Sequence, residues 1–369
     1  MEERWDIAIV GLGPAGATLA RLLRSADFRV IALDQKEKSG SNGFHKPCGG
    51  LLAPDAQKTM AEMGLNLQKE ILVDPQVFSV RTIDLDTGIL RFYQRAYINM
   101  DRHKFDLWLK SLIPPCVEIR HGATCTDIER KEDGYCLTYA EGGHTNTIHA
   151  GIIVGADGAK SIVRRFAFPR KKMNCYLSIQ QHFSSGLQNP FYSCIFDSES
   201  TDCYSWGICK DHTFVFGGAY PMKNARERFE NQKRRLIALG FIRGNGQPDK
   251  TEACLVLRPK SFRDFATGHD NLFLIGEAAG LISPSSLEGI SYAMKSARLL
   301  AEILNAGGNT ANTQYHKKTA ALRRKLILKR LKCPFMYQPL LRKIVMKSGI
   351  GTIQVESEES LLSGESNLK

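Results

Sequence analysis

Gly11, Gly13 and Gly16 stand in a Gly-x-Gly-x-x-Gly arrangement directly after an apolar run from Trp5 to Val10. At a strand-to-helix turn that spacing makes a phosphate cradle. The first glycine permits the tight turn, the second lets a pyrophosphate approach the backbone, and the third lets the helix pack on the sheet. Ala15 falls in the first helical turn, where free N–H groups and the positive end of the helix dipole face an anion. A second apolar run, Arg29 to Leu33, ends on Asp34. That is about 20 residues further on, where a carboxylate can accept both hydroxyls of a ribose. These residues together predict a dinucleotide-binding βαβ unit.

Other stretches hold chemistry-bearing residues at defined places. Asp157 closes an apolar run in Val-Gly-Ala-Asp-Gly, and Glu277 follows another in Leu-Ile-Gly-Glu-Ala-Ala-Gly, with Gly289 and Ile290 opening a helix beyond it. Cys48 sits in Lys46-Pro47-Cys48-Gly49-Gly50, and Arg102 in Asp-Arg-His-Lys-Phe-Asp. Tyr204 and Trp206 lie two residues apart in a β-rich stretch, so they share one face of a strand. The cysteines never fall in a Cys-x-x-Cys pair and the histidines are dispersed, so neither a metal site nor a dithiol motif is expected. His45, beside the Cys48 loop, is a weaker candidate for a pocket residue.

In their order along the chain, the segments around Gly11, Asp157 and Glu277 resemble the three fingerprints of the para-hydroxybenzoate hydroxylase-like flavoproteins, which implies FAD as cofactor. The resemblance implies that Asp157 supports the flavin and nicotinamide region and that Glu277 reaches the ribityl chain. It also implies that the helix opening at Gly289 and Ile290 aims its positive end at the flavin N1–C2=O edge, where negative charge develops on reduction. Glu277 stands where Asp is usual, and Ser286-Leu287-Glu288 where glycines are frequent. More narrowly, Pro47, Cys48 and Gly50 resemble the Cys-Gly-Gly loop of the geranylgeranyl reductases, whose cysteine lies near the isoalloxazine. Tyr204 and Trp206 are similar to their Tyr-x-Trp-x-Phe-Pro motif, which lines the isoprenoid pocket, with Cys209 in the place of proline. Arg102 matches their Arg-x-x-Phe-Asp pattern, in which the arginine contacts the flavin.

What this resemblance implies is a redox reaction. A reduced nicotinamide or another electron donor loads the flavin, and hydride then passes to a carbon–carbon double bond of an isoprenoid or other apolar lipid. Cys48 is the first candidate for the proton donor. One glycine fingerprint leaves no second domain for the reductant, which must visit transiently. Competing readings share the fold: a flavin hydroxylase, or a halogenase, against which Tyr204 argues because that class uses Trp-x-Trp-x-Ile-Pro. A flavin-bearing lipid binder without turnover is an answer of another class. Cys48 as an inert residue beside two turn glycines, and Tyr204 with Trp206 as a plain core face, are the structural alternatives.

The elements that must position these residues follow an α/β plan: a Rossmann-like FAD domain of the glutathione reductase/para-hydroxybenzoate hydroxylase type, an inserted antiparallel β-sheet substrate domain, and a C-terminal helical segment. Residues 1–72, 101–170 and 263–305 are assigned to the FAD domain, 73–100 and 171–262 to the substrate domain, 306–350 to a basic helical segment, and 351–369 to a disordered tail. A composition of 43% hydrophobic and 24% charged residues supports a real core. No apolar run reaches the roughly 18 residues of a membrane span. The first residues lead straight into a strand without a signal peptide, which predicts a cytoplasmic protein or one lying on the inner membrane face. The net charge of +12 is concentrated between Tyr315 and Gln354, a stretch rich in Lys and Arg and lacking Asp and Glu. An anionic membrane surface is the candidate partner for it and nucleic acid is not, since nothing else resembles a base-reading module. A solvated helix face that aids solubility is the alternative.

Overall fold

The computed structural model describes residues 3–24, 27–37, 46–184, 191–242, 246–308 and 310–355, so His45 lies outside the described residues. The chain builds two sheets. The first has a parallel core, because its strands are continuous apolar runs covered on both faces. Strand Glu3–Val10 lies between Val30–Asp34 and His144–Gly155, with Ile9 level with Ala32 on one side and Val154 on the other. Glu118–His121 and Leu272–Leu274 extend this core in parallel, and the hairpin Thr124–Lys131 with Gly134–Glu141 continues it antiparallel.

The helices, in chain order, are α1 (Pro14–Leu22), α2 (Pro54–Glu62), α3 (Arg102–Ser111), α4 (Ile162–Ala167) and α5 (Ala225–Ala238). They continue with α6 (Ile290–Ala306), α7 (Ala311–Lys318), α8 (Ala320–Arg330), α9 (Cys333–Tyr337) and α10 (Pro339–Lys347). None is long and apolar enough to cross a membrane. Small residues on α1 (Ala17, Ala20) and α6 (Ala293, Ala297) let the two helices share one core with Ile7 and Ile9 of the first sheet. Asp101 starts α3 by accepting from His103 N and Lys104 N at 2.8 and 3.0 Å, which satisfies two of its free amides.

The second sheet runs Lys250–Leu257, Cys175–Ser184, Thr213–Pro221, Ser205–Lys210, Tyr192–Phe196, Val77–Asp84, Ile89–Asn99. The expected antiparallel pairing has one exception: Tyr192–Phe196 runs parallel to Val77–Asp84. The chain passes through the first sheet between these strands, so no hairpin joins them and a parallel junction becomes accessible. Helix α5 covers one face, with Phe229 stacked on Phe216 at 5.1 Å between ring centres. The other face carries Val80, Tyr192, Trp206 and Ile208.

The tail expected to be disordered from residue 351 begins instead with a strand. Thr352 and Ile353 pair antiparallel with Tyr93 and Phe92, filling an edge that strand Ile89–Asn99 leaves open. Residues 356–369 lie outside the described residues.

Candidate active site

The glycine turn is built as its spacing predicts. Gly11 adopts φ +95°, and a side chain there would press on the Ala156 carbonyl and on Asp157 Cα. A side chain on Gly16 would collide with the Gly11 carbonyl. Gly13 differs: a Cβ there would meet nothing within 4 Å. The fold does not need Gly13 to be small, and the space in front of it adjoins the N-terminus of α1. That turn holds Ala15 and no acidic residue. Asp34 closes its strand as predicted and is buried, but its carboxylate is ion-paired with Lys110 of α3, so a ribose would have to share it.

Asp157 accepts from Ile162 N at 2.7 Å through Oδ2, while its buried Oδ1 has no hydrogen bond. Burial raises its pKa. Glu277 uses its extra methylene to reach protein groups on both sides: Oε1 accepts from Leu257 N at 2.9 Å, and Oε2 is paired with Lys46. Burial would lower the Lys46 pKa, but the Glu277 carboxylate outweighs it and holds the value above the usual lysine range. Gly289 caps α6 and Ile290 begins it, as expected. The positive end of that helix is not bare, however. Glu288 accepts from Ser291 N at 2.9 Å and Ser291 Oγ at 3.0 Å, so a carboxylate sits where the resemblance implied only a helix dipole. Burial raises the Glu288 pKa. Leu287 takes φ +51° to make this approach, in the place where glycines were the expected solution.

Cys48 is half-buried, and Gly50 N donates to its Sγ at 3.4 Å. Pro47 O lies 3.7 Å from Cys254 Sγ. Arg102 lies close enough to the Cys48 thiol to interact with it electrostatically, and donates to Asp106 at 2.9 Å; Lys36 reaches the other Asp106 oxygen at 2.5 Å. Burial alone would raise the Asp106 pKa, but these two cations hold it at about 2. Sequence reasoning missed Lys210. Its ammonium donates to Asn99 Oδ1 at 2.7 Å, Met100 O at 2.8 Å and Gly50 O at 3.3 Å, which ties the Cys48 loop to the start of α3. Burial brings its pKa down to about 8, opposed by Cys48, Asp101 and Asp211. The only sequence signal was a lysine following a strand face that already held Tyr204, Trp206 and Ile208.

Tyr204 and Trp206 do share a face, with ring centres 6.0 Å apart. Tyr204 donates to Ser286 O at 2.7 Å, which joins this face to the loop leading into α6. The Trp206 ring lies over Gly217, and its Nε1 would stand 3.5 Å from a Cβ on Gly49 of the Cys48 loop. That indole N–H is buried and unbonded. The structure therefore brings Cys48, Arg102, Lys210 and Trp206 to one place, flanked by Lys46 and Glu277.

A family model described as "FAD binding domain" matches residues 4–331. Protein CbrA of Escherichia coli strain HS is 49% identical over 351 residues, covering 95% of each chain, and CbrA of strain K12 is likewise 49% identical. This chain belongs to the CbrA family of FAD-binding proteins. Among solved structures, a geranylgeranyl bacteriochlorophyll reductase-like protein from Thermoplasma acidophilum superposes with TM-score 0.80 at 17% identity, covering 98% of this chain and 96% of that one. PqsL of Pseudomonas aeruginosa, a probable FAD-dependent monooxygenase, gives TM-score 0.67 at 18% identity, covering 94% and 100%. CmlS, a flavin-dependent halogenase, gives 0.68 at 17%, covering 89% of this chain and 64% of that one.

The cofactor of this CbrA-family protein is FAD, and the residues fit it. The open space before Gly13 is a cradle that any Cβ would narrow. The free N-terminus of α1 can take the pyrophosphate, Asp34 the ribose, and the unbonded Asp157 Oδ1 a donor from the cofactor.

Proposed function

We propose that this CbrA-family flavoprotein reduces carbon–carbon double bonds of an isoprenoid or other apolar lipid. The observation that carries the reading is the convergence of Cys48, within electrostatic reach of Arg102 and of Lys210, which donates to Gly50 O of the same loop, with the apolar face of Trp206, Tyr204 and Tyr192. The bound flavin supplies hydride chemistry, replenished by a reduced nicotinamide or another donor. The chain supplies the rest. Saturating a double bond adds one hydride and one proton, and Cys48 Sγ is the proton donor to the second carbon. Arg102 and the Lys210 ammonium steady the negative charge left on that sulfur until it is reprotonated. Trp206, Tyr192 and Val80 exclude water and hold the apolar chain. A hydroxylase or halogenase remains the competing activity on this fold. Neither calls for a cysteine at this position.

The test is anaerobic and spectroscopic. Holoprotein mixed with NADPH should lose its flavin colour, and a polyprenyl alcohol should restore it, yielding a saturated product. Restoration that needs oxygen and consumes it selects the hydroxylase. A flavin that neither NADPH, NADH nor a reduced ferredoxin bleaches leaves a lipid binder without turnover.

A further inference from the structure

The sequence between Tyr315 and Gln354 contains no acid, and its apolar residues form no single helical stripe. The structure sorts them. Leu326 is fully buried against the first sheet, and Leu322 and Ile327 pack partly against the same core. Met346 is also buried, and Met336, Tyr337 and Leu341 are half-buried, but a second set points outward: Leu328, Leu331, Phe335, Leu340 and Ile344 are between 53% and 78% exposed, and Ile350 is 80% exposed. Single exposed leucines are ordinary, but this many on neighbouring short helices is not.

The basic residues divide in the same way. Lys325 and Lys329 pair with Asp55, and Arg342 is buried against Asp84 and Asp86. Arg324, Arg330, Lys332, Lys343 and Lys347 are exposed and in no ion pair among the described residues. Folding thus uses part of the segment's charge and apolar area to fasten it down, and leaves the rest interleaved on the outside. On α10 the exposed residues Leu340, Lys343, Ile344 and Lys347 fall at the three- and four-residue spacing of one helix face, with Val345 exposed beside them. Apolar side chains flanked by cations match the acyl boundary of a bilayer beneath anionic headgroups. A duplex nucleic acid would match the cations but leave the leucines in water.

The position adds a reason. Tyr337 of α9 donates to Ser285 O at 2.5 Å, next to Ser286, whose carbonyl takes the Tyr204 hydroxyl. The same helix packs against the second sheet through Phe196, with ring centres 5.8 Å apart. The exposed surface is therefore two side chains away from the apolar face beside Cys48.

We infer that the outer surface of α8, α9 and α10 docks on an anionic lipid bilayer, inserting Leu331, Phe335, Leu340 and Ile344 into the headgroup boundary. Docking places the Tyr204 side of the site against the source of an apolar substrate. The inference stands on charge and exposure, and vesicle binding is read without turnover, so it fails or survives apart from the reductase reading.

The experiment is co-sedimentation of the FAD-loaded protein with vesicles of neutral phosphatidylcholine, alone or with about one third anionic phosphatidylglycerol. Wild type should pellet with the anionic vesicles only, and tenfold or more weaker at 0.5 M than at ~0.1 M salt. Each exposed cation is worth roughly a fivefold factor in partition, so Lys343→Gln/Lys347→Gln should lose about 25-fold. Leu340→Ser/Ile344→Ser should lose salt-resistant binding while keeping its flavin-to-protein ratio and melting temperature, which excludes misfolding. Equal recovery with both vesicle types overturns the inference. So does a dimer, seen by light scattering, that the Leu340→Ser/Ile344→Ser variant dissolves, and so does tighter binding to a duplex oligonucleotide than to vesicles.

Discussion

Lys210 shows what a single residue adds to a motif that was otherwise readable. The glycines and Cys48 announce themselves through local sequence, whereas Lys210 acquires meaning only where Asn99, Met100 and Gly50 meet it. Burial lowers its pKa to about 8, against about 10.4 in an unfolded chain. Between those values the unfolded state binds more protons, so folding stability rises with pH across that window and is lost as pH falls through about 8. The difference in melting temperature between wild type and Lys210→Met should therefore shift in favour of wild type from pH 8 to 10. Turnover should do the opposite in wild type, falling above about pH 8 as the ammonium beside Cys48 loses its charge. A Lys210→Met enzyme with the same alkaline limb in turnover would make Lys210 a loop anchor only. Cys48→Ala should keep FAD and its reduction by the donor while substrate reduction falls about 100-fold or more; equal turnover would return Cys48 to a structural part.

At the scale of elements, the glycine turn and the entry to α6 make different statements. Gly16 is required by packing and Gly13 is not, since only at Gly13 would a side chain meet no atom. Gly16→Val should thus destabilise the whole fold. Gly13→Val should melt within about 2 °C of the flavin-free wild type and yet retain no FAD, as absorbance of the purified protein will report. A yellow Gly13→Val protein would move the pyrophosphate elsewhere. This distinction was legible in the spacing, because the constraint lies in backbone geometry. The carboxylate of Glu288 at the α6 terminus was not, because it depends on Leu287 taking a left-handed turn that its residue type disfavours. Burial raises the Glu288 pKa. A raised acid stabilises the fold below its unfolded pKa and loses that contribution as pH rises through the folded value. Glu288→Gln should accordingly equal wild type in acid and exceed it at neutral pH. Removing the charge should also shift the flavin midpoint potential upward, by roughly 30 mV for about 1.4 kcal/mol in a two-electron couple. An unchanged potential would place the α6 terminus away from the flavin.

For the whole molecule, the alternation of sheet pieces along the chain was readable from strand runs and the three fingerprints, but what fastens the two sheets together was not. The C-terminal helices do this through partners far away in sequence. Tyr315 of α7 donates to Leu274 O of the first sheet at 3.0 Å, and Lys325 and Lys329 of α8 reach Asp55 of α2. Arg342 of α10 donates to Asp84 at 2.7 Å and to Asp86 at 2.5 Å on the second sheet, and its guanidinium lies 4.9 Å from the Phe196 ring centre. No local pattern marks Arg342 among so many neighbouring cations, since only its partner distinguishes it. Arg342 is 3% exposed and Asp84 is fully buried, so removing the arginine alone strands a carboxylate out of water. Arg342→Met should then cost about 3–5 kcal/mol in urea unfolding. Adding Asp84→Asn should recover at least half of that, because the amide still accepts from Thr87 Oγ1 and the fully buried charge is gone, while the less buried Asp86 keeps its hydrogen bonds from Ser198 N and Oγ. Recovery in the double variant separates an electrostatic clasp from a lost packing contact, which a second substitution could only worsen. If Arg342→Met costs under about 1 kcal/mol, water reaches Asp84 and the C-terminal helices do not hold the second sheet in place.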